Sequence, residues 1–345
     1  MGGAPLNDWI EVPCPASDVP GSAGLRLDLF LARRLHGYSR AAIQRMIVEE
    51  RVLLPGRGSG PALRPVGKCV GRMGRAVFPR ASTRIQEGDT VVLLYPRRED
   101  PPPLCSRITV LHEDAHLVVV DKPAGVLSHP TDKIVRNSVT AILAAQLPGT
   151  ALHLGHRLDR ETSGVLVLAR DPDSARRLQE QFARREVSKE YLAVVVGRVP
   201  FESREVSGAI GRENGRIRVR QAVGGQGGDA AFTLVERVAV GHAFSLVRAL
   251  PRTGRLHQIR VHLSSLGFPV AGDKLYLGDG EPYLKAVRKE WTPEDAAALG
   301  APRQMLHARR ITLRHPGDGE RRSFAAPLPA DMRELLRSDG MEADL

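Results

Sequence analysis

The chain has 345 residues, of which 42% are hydrophobic and 26% charged, with a formal net charge of +11 at pH 7. That length fits one large domain or two, with apolar residues enough for a sizeable core, and the positive balance points to a polyanionic partner. Cys14, Cys69 and Cys105 form no CxxC pair and no apolar run approaches membrane-spanning length, so a zinc ribbon, a disulfide framework and a membrane protein are excluded. Met1-Gly2-Gly3-Ala4-Pro5 does not read as a secretory signal, and a soluble protein of the reducing cytoplasm is expected. Seven lysines stand against 43 arginines, whose planar fork suits phosphate and base recognition.

Residues 1–24, rich in Gly, Pro, Ala and Ser, read as a loose tail. Leu27, Leu31 and Leu35 then recur at helical spacing, and a second helix with a plausible N-cap at Ser39 carries Ile43, Met46 and Ile47 on one face. That second helix also carries Arg40, Arg45 and Arg51, suited to phosphate contacts. Val52-Leu53-Leu54 reads as a strand, residues 55–82 as an Arg/Gly/Pro-rich insertion, and Gln86-Glu87-Gly88-Asp89 as a turn into a strand from Thr90. Residues 25–97 thus make a small α+β unit, and the charged, Pro-rich stretch 98–107 reads as a semi-rigid linker.

A second domain is expected over 108–330. Leu117–Val120 is a strand, 138–147 a short helix stopped by Pro148-Gly149, and Asp173 caps a further helix carrying Leu178 and Phe182. Tyr191 opens a strand ending at Gly197, and strands recur near 206–210, 216–221, 230–237 and 243–250. Gly224-Gly225-Gln226-Gly227-Gly228 reads as a hairpin tip, since it lacks the strand–helix context of a phosphate loop. Arg255–Leu266 reads as a helix with Leu256, Ile259, Leu263 and Leu266 buried, and 331–345 as a polar tail. Many antiparallel strands with few helices make the class α+β.

The stretch Gly155-His156-Arg157-Leu158-Asp159-Arg160-Glu161-Thr162-Ser163-Gly164 lies on a loop between apolar runs. Arg157 and Arg160 beside Asp159 favour its ionised form. On residue chemistry alone this is either a catalytic carboxylate or a surface ion pair on a turn, and Arg157 is a phosphate clamp as readily as anything else. Tyr191 is either an ordinary strand aromatic or a ring for stacking on a base. Arg260 lies at the edge of its helix's buried stripe, where an arginine needs an acidic partner, and Arg255 at the other edge suits a phosphate. His153 with His156, and His112 with His116, lack the further convergent ligands of a metal site, and no Gly-x-Ser-x-Gly elbow occurs.

His156-Arg157-Leu158-Asp159 with Thr162-Ser163-Gly164 resembles the signature of the RluA-type pseudouridine synthases. Lys189–Gly197 and Thr253–Leu263 resemble that family's next two blocks in order, Asp121–Gly125 its opening block, and Met305–Ala308 with Ala326–Pro329 its closing ones; the resemblance covers about 108–330. It implies isomerisation of uridine in structured ribosomal or transfer RNA to pseudouridine, with a mostly antiparallel catalytic domain and no cofactor or metal. It also implies catalytic roles for Asp159, Tyr191 and Arg260, RNA contacts by Arg157 and Arg255, and Arg157 filling the gap left by an extruded base. Residues 25–97, ending in Glu87-Gly88-Asp89-Thr90, resemble the small RNA-binding domain of a ribosomal small-subunit protein, without its usual Val-Asn-Gly turn; Arg40 and Arg45 would be its RNA contacts. A monomer is expected. The alternative is a non-catalytic RNA-binding or ribosome-assembly factor on the same scaffold.

Overall fold

Seven consecutive buried residues, Ser163–Ala169, mark the strand on which the larger half of the molecule is built. The computed structural model describes residues 6–15, 24–35, 40–55, 76–77, 79–96, 100, 102–131, 134–288 and 290–342. The chain divides into two units, Met1–Glu99 and Asp100–Leu345. No helix of the described residues is long and apolar enough to cross a membrane.

The first unit runs β1 (Leu6–Pro13), β2 (Leu25–Arg26), α1 (Leu27–Arg34), α2 (Arg40–Val48), β3 (Val52–Pro55), β4 (Ala76–Val77), β5 (Arg84–Ile85) and β6 (Thr90–Pro96). Leu27 and Leu31 of α1 and Ile43, Met46 and Ile47 of α2 pack on Val52, Leu54, Val91 and Leu93, as their spacing anticipates. The loose tail expected at 1–24 is corrected over its described part: Leu6–Pro13 pairs antiparallel with β6, in the sheet order β1-β6-β3-β4. Its hydrogen-bond partner lies some 80 residues downstream, which local Gly/Pro content cannot reveal. The Ser39 cap and most of the 55–82 insertion lie outside the described residues; within the insertion, Ala76–Val77 adds a short strand to β3.

The second unit continues with β7 (Thr109–Glu113), β8 (Leu117–Lys122), α3 (Val139–Gln146), β9 (His153–Leu154), β10 (Ser163–Ala169), α4 (Pro172–Ala183) and β11 (Ser188–Val196). Next come β12 (Ser203–Arg212), β13 (Gln221–Val223), β14 (Gln226–Val240), β15 (Phe244–Pro251), α5 (Gln258–Ser265), α6 (Glu281–Arg288) and α7 (Pro293–Ala298). It closes with β16 (Leu306–Arg314), β17 (Arg321–Ala325) and α8 (Ala330–Ser338). Its strands form one sheet in the order β13-β12-β14-β15-β11-β16-β10-β8-β7, with β17 beside β16 and β9 beside β10. Only β10–β16 is parallel, so the α+β class holds.

Alternation along β10 sends Val165, Val167 and Ala169 to Leu178 of α4, and Leu166 and Leu168 to Val139 and Leu143 of α3. Helices on both faces explain the unbroken apolar run. Gly164 (φ +109°) is the second residue of this strand, where a Cβ would lie 2.2 Å from the carbonyl oxygen of Ala308, so only glycine admits the parallel neighbour.

Several expectations are corrected. Asp171, not Asp173, caps α4, accepting from the Ser174 N–H (2.8 Å), because Pro172 occupies the first helical position. The helix expected from Arg255 starts at Gln258, since His257 is left-handed (φ 56°), and Leu256 is 56% exposed. The strand expected at 216–221 is mostly turn, followed by the three residues of β13. The glycine cluster is not a simple hairpin tip: β13 and β14 flank β12 instead of pairing with each other, and the backbone crosses so closely that a Cβ on Gly225 would lie 2.3 Å from the Gly211 carbonyl oxygen. The polar tail from 331 is instead α8, with Met332 and Leu336 buried, while Asp339 accepts from the N–H groups of Ala243 (2.8 Å) and Phe244 (2.9 Å). From Asp100 the linker is already bound to the second unit, its carboxylate accepting from the N–H groups of Val135 (3.1 Å) and Arg136 (2.7 Å).

Candidate active site

The loop between β9 and β10 is held at each residue that follows Asp159. The Lys122 ammonium, fully buried, donates to the carbonyls of Pro123 (3.0 Å), Val126 (2.7 Å) and Arg160 (3.1 Å). Burial pushes its pKa down to about 7, against the pull of the Asp159 charge. The Glu161 carboxylate takes Lys274 Nζ (2.8 Å) and the Gln304 N–H (3.0 Å), Thr162 Oγ1 takes Gln304 Nε2 (3.0 Å), and Ser163 Oγ meets His307 Nδ1 (3.0 Å). Before Asp159, His156 accepts the Val167 N–H at Nε2 (3.2 Å) and packs on Phe182. Burial lowers its pKa to about 3, so it is a neutral imidazole.

Asp159 itself is left less encumbered. Arg260 Nη1 donates to its Oδ2 at 2.8 Å, and Oδ1 has no hydrogen bond among the described residues. The rest of the Arg260 guanidinium is gripped by Asp273, Nε to Oδ2 at 2.6 Å and Nη2 to Oδ1 at 2.8 Å, with the Tyr276 ring centroid 4.9 Å from its Cζ. Burial opposes the Arg260 charge, but Asp273 and then Asp159 outweigh it and hold the cation firmly. Asp273, 1% exposed, also accepts the N–H groups of Leu275 (3.0 Å) and Tyr276 (3.2 Å). The edge-of-stripe arginine thus sits between two carboxylates.

Tyr191 lines the same pocket. A β-bulge between Glu190 and Tyr191 shifts the pairing of β11 with β16, a device that re-aims side chains beside active sites. Burial, then the Asp159 charge, raises the phenol above its ordinary range, so it stays protonated. A cleft of about 690 Å³ opens outward past Asp159, Tyr191, Arg157, Lys189, Arg255 and His257. Arg157 is exposed in it and makes no ion pair with a described residue. Arg255 lies 3.1 Å from the Asp229 carboxylate and donates to the Ala230 carbonyl (3.2 Å). Lys189 donates to the Thr253 carbonyl (2.9 Å), and burial lowers its pKa to about 8.

Residues 116–265 match the family described as RNA pseudouridylate synthase. Over 327 residues the chain is 34% identical to the ribosomal large subunit pseudouridine synthase D of Neisseria meningitidis (serogroup A / serotype 4A), covering 94% of this chain and 81% of that protein. This chain belongs to the RNA pseudouridylate synthase family, in its RluA branch. It is an enzyme that isomerises uridine in RNA to pseudouridine. The synthase is also 33% identical over 335 residues to the ribosomal large subunit pseudouridine synthase D of Xanthomonas campestris, spanning 94% and 93% of the two chains. The solved structure of Human RNA Pseudouridylate Synthase Domain Containing 4 superposes with a TM-score of 0.54 at 30% identity, covering 68% of the synthase and 94% of that chain.

Of the expected site residues of the synthase, Asp159, Tyr191, Arg260, Arg157 and Arg255 line one pocket. Arg40 and Arg45 belong to the first unit. Arg40 is committed to the fully buried Asp28 (Nη2–Oδ2 2.9 Å), which also receives Arg26 and Gln44, whereas Arg45 is exposed on α2. Sequence reasoning missed Asp273, His257, Tyr276, Lys122 and Lys189. The available signal for Asp273 was the acid that a half-buried Arg260 demands. The other donor cluster, His112, Asp114 and His315, is the one group of described residues with metal-ligating potential, and it does not fit an ion. Asp114 Oδ2 already meets His112 Nε2 at 2.5 Å and His315 Nε2 at 2.9 Å, hydrogen-bond spacings tighter than ligands set around an ion at ~2 Å allow, and the Arg322 guanidinium lies 3.5 Å from that oxygen.

Proposed function

We propose that the synthase modifies uridine in structured ribosomal RNA of the large subunit, with transfer RNA as the second candidate, and that Asp159 carries the chemistry. The observation behind this is the Arg260–Asp159 contact of 2.8 Å in the wall of the pocket that Tyr191 lines. The relatives, ribosomal large subunit pseudouridine synthases, favour ribosomal RNA.

The reaction breaks the N1–C1′ bond and rejoins C1′ to carbon 5 of the same base. No electrons or groups enter or leave, so its balance requires neither a cofactor nor a metal. Asp159, with Oδ1 free, attacks the sugar or the base; an aspartate nucleophile at a sugar has general precedent. Tyr191, held as the neutral phenol, stacks on the extruded base and offers a hydroxyl to hydrogen-bond it. Arg157 enters the space that base leaves, Arg255 meets a phosphate, and Arg40 and Arg45 are the RNA contacts within the first unit. The RNA substrate suits the cytoplasm. A non-catalytic RNA binder would have no use for an under-coordinated carboxylate beside a buried arginine.

The test is Asp159→Asn, which keeps the shape and removes the charge. Tritium release from RNA labelled at carbon 5 of uridine should fall by more than about 1,000-fold while RNA affinity and melting temperature hold. Turnover above about 1% of wild type would end the assignment.

A further inference from the structure

His257 is an anomaly that neither capping nor packing explains. It immediately precedes α5 with a left-handed backbone (φ 56°, ψ 17°), one of three non-glycine residues at positive φ among those described. It sits at the N-cap of that helix yet makes no side-chain cap hydrogen bond. Backbone strain of this kind persists where the surroundings dictate it, and it gathers at functional sites. Here the ring is turned onto Tyr276, with Nδ1 3.0 Å from the hydroxyl and the rings edge to face.

That contact is satisfied by the tautomer in which Nδ1 accepts. The Tyr276 hydroxyl accepts the Gln221 N–H (2.9 Å), and its own proton has no acceptor among the described residues other than His257 Nδ1. Burial, then the Arg260 charge, drives the imidazole pKa down to about 4, against the weaker pull of Asp159 and Asp273. The ring is therefore neutral, and in that tautomer its one proton is on Nε2. Nε2 lies 3.9 Å from Asp159 Oδ2, too far to be spent on it, in a ring only 13% exposed that lines the Asp159 pocket. The neighbouring donors are committed elsewhere. Arg260 is divided between two carboxylates, and Thr253 Oγ1 donates to Gln258, whose amide donates to Phe232 and Thr233. Arg157 and Lys189 keep spare protons, but as cations on flexible stems.

We propose that His257 is a further catalytic residue, a fixed neutral donor whose Nε2–H hydrogen-bonds the detached base. This rests on the uridine-isomerising reading of the pocket. When N1–C1′ breaks, the bonding pair stays with the base, whose negative charge spreads over N1 and the ring oxygens. The base must then turn before carbon 5 rejoins C1′; the carbon-5 proton leaves to solvent and N1 takes a proton in its place. A preorganised donor steadies the anion in that interval, and its neutrality lets the base turn without being trapped in an ion pair. His257 keeps its proton throughout, and no bond to it forms or breaks.

The test is His257→Gly, since glycine accepts the left-handed backbone and removes the ring. The full-length protein acts on RNA from cells lacking its gene, labelled with tritium at carbon 5 of uridine. The RNA that responds is then transcribed with 5-fluorouridine, whose fluorine stabilises the base anion and leaves no proton to remove at carbon 5. Single-turnover tritium release should fall about 100-fold, formation of the rearranged fluorinated nucleotide only about tenfold, and RNA affinity should stay within about twofold. Added imidazole should restore His257→Gly and not Asp159→Asn. Equal losses on both substrates would make His257 a positioning residue for Asp159. Loss of tritium release alone would make it the carbon-5 base. Release within about threefold of wild type, or a defect confined to RNA affinity, would leave it no catalytic role. Each of these overturns the proposal. If wild-type protein itself released no tritium, the reading of the pocket would fail, and this inference with it.

Discussion

Asp28 and Asp159 are both gripped by arginines, and they are gripped differently. In the first unit, Asp28 is fully buried and receives Arg26, Arg40 and Gln44, so both its oxygens are used. In the second, Asp159 is 28% exposed and receives only Arg260, whose other nitrogens hold the buried Asp273. Asp28, a structural carboxylate, is saturated with donors, whereas Asp159, the proposed reactive group, keeps an oxygen in reserve and its cation anchored from behind. The Arg260 pair is buried on the cation side, so breaking it strands a charge; the Asp28 cluster has half-exposed arginines that water can replace.

Breaking the two clusters from the arginine side should expose the difference most strongly. Arg260→Gln leaves Asp273 buried without its cation, at a cost of about 3–5 kcal/mol of stability, and should abolish tritium release. Arg40→Gln, with Arg26 and Gln44 still on Asp28, should cost under about 1 kcal/mol and leave turnover intact. Denaturant unfolding beside single-turnover assays compares them, and similar stability losses for both would erase the distinction.

Next in size is Arg157→Ala. Arg157 is near Asp159 in sequence but not paired with it, so its loss should harm extrusion of the base more than the chemistry. On a uridine in a stable stem the rate should fall about 100-fold, and on one already unstacked in an open loop less than tenfold, because stacking costs a few kcal/mol only where it exists. Equal losses on the two RNAs, worsening at low pH, would instead tie Arg157 to the charge of Asp159.

A smaller effect belongs to Asp28→Asn. The donors from Arg26 first, with Gln44 and Arg40, outweigh burial and hold the Asp28 carboxyl below its ordinary range. A depressed carboxylate stabilises the fold above its unfolded pKa of about 3.9, and that stability drains as pH falls further. Wild type should therefore exceed Asp28→Asn by about 2 kcal/mol at pH 7, with the gap closing as pH drops from 5 to 2. Hydrogen exchange in residues 27–34 and 40–48 reads it out.

The smallest change is Arg45→Ala. Exposed on α2, Arg45 should contribute one phosphate contact: RNA affinity falls a few-fold for every sequence, and the slope of log affinity against log salt loses about one unit. An unchanged slope would remove α2 from the RNA surface.

The parts legible in the sequence were those governed by local pattern. The Leu27–Leu31 and Ile43–Met46–Ile47 stripes, the apolar β10 run and the Gly88 turn follow from periods of 3.6 and 2 and from turn chemistry. The parts not legible depend on distant partners. Leu6–Pro13 is a strand only because β6 is beside it, and α8 a docked helix only because Met332 and Leu336 have a core to enter. At the site, motif resemblance singled out Asp159, Tyr191 and Arg260. Asp273 and His257 are defined by what they touch: one needs the buried guanidinium, and the other needs the Tyr276 hydroxyl to choose its tautomer.

The parallel contact of β10 with β16 has a consequence for timing. The loop that carries Asp159 takes its anchors from Arg303, Gln304 and His307, and Gly164 is seated against Ala308. All four lie some 140 residues downstream. A ribosome making this protein must translate past residue 308, and release that segment from its exit tunnel, before the loop can set. The geometry around Asp159 therefore waits on residues 303–308, however early the loop itself is made.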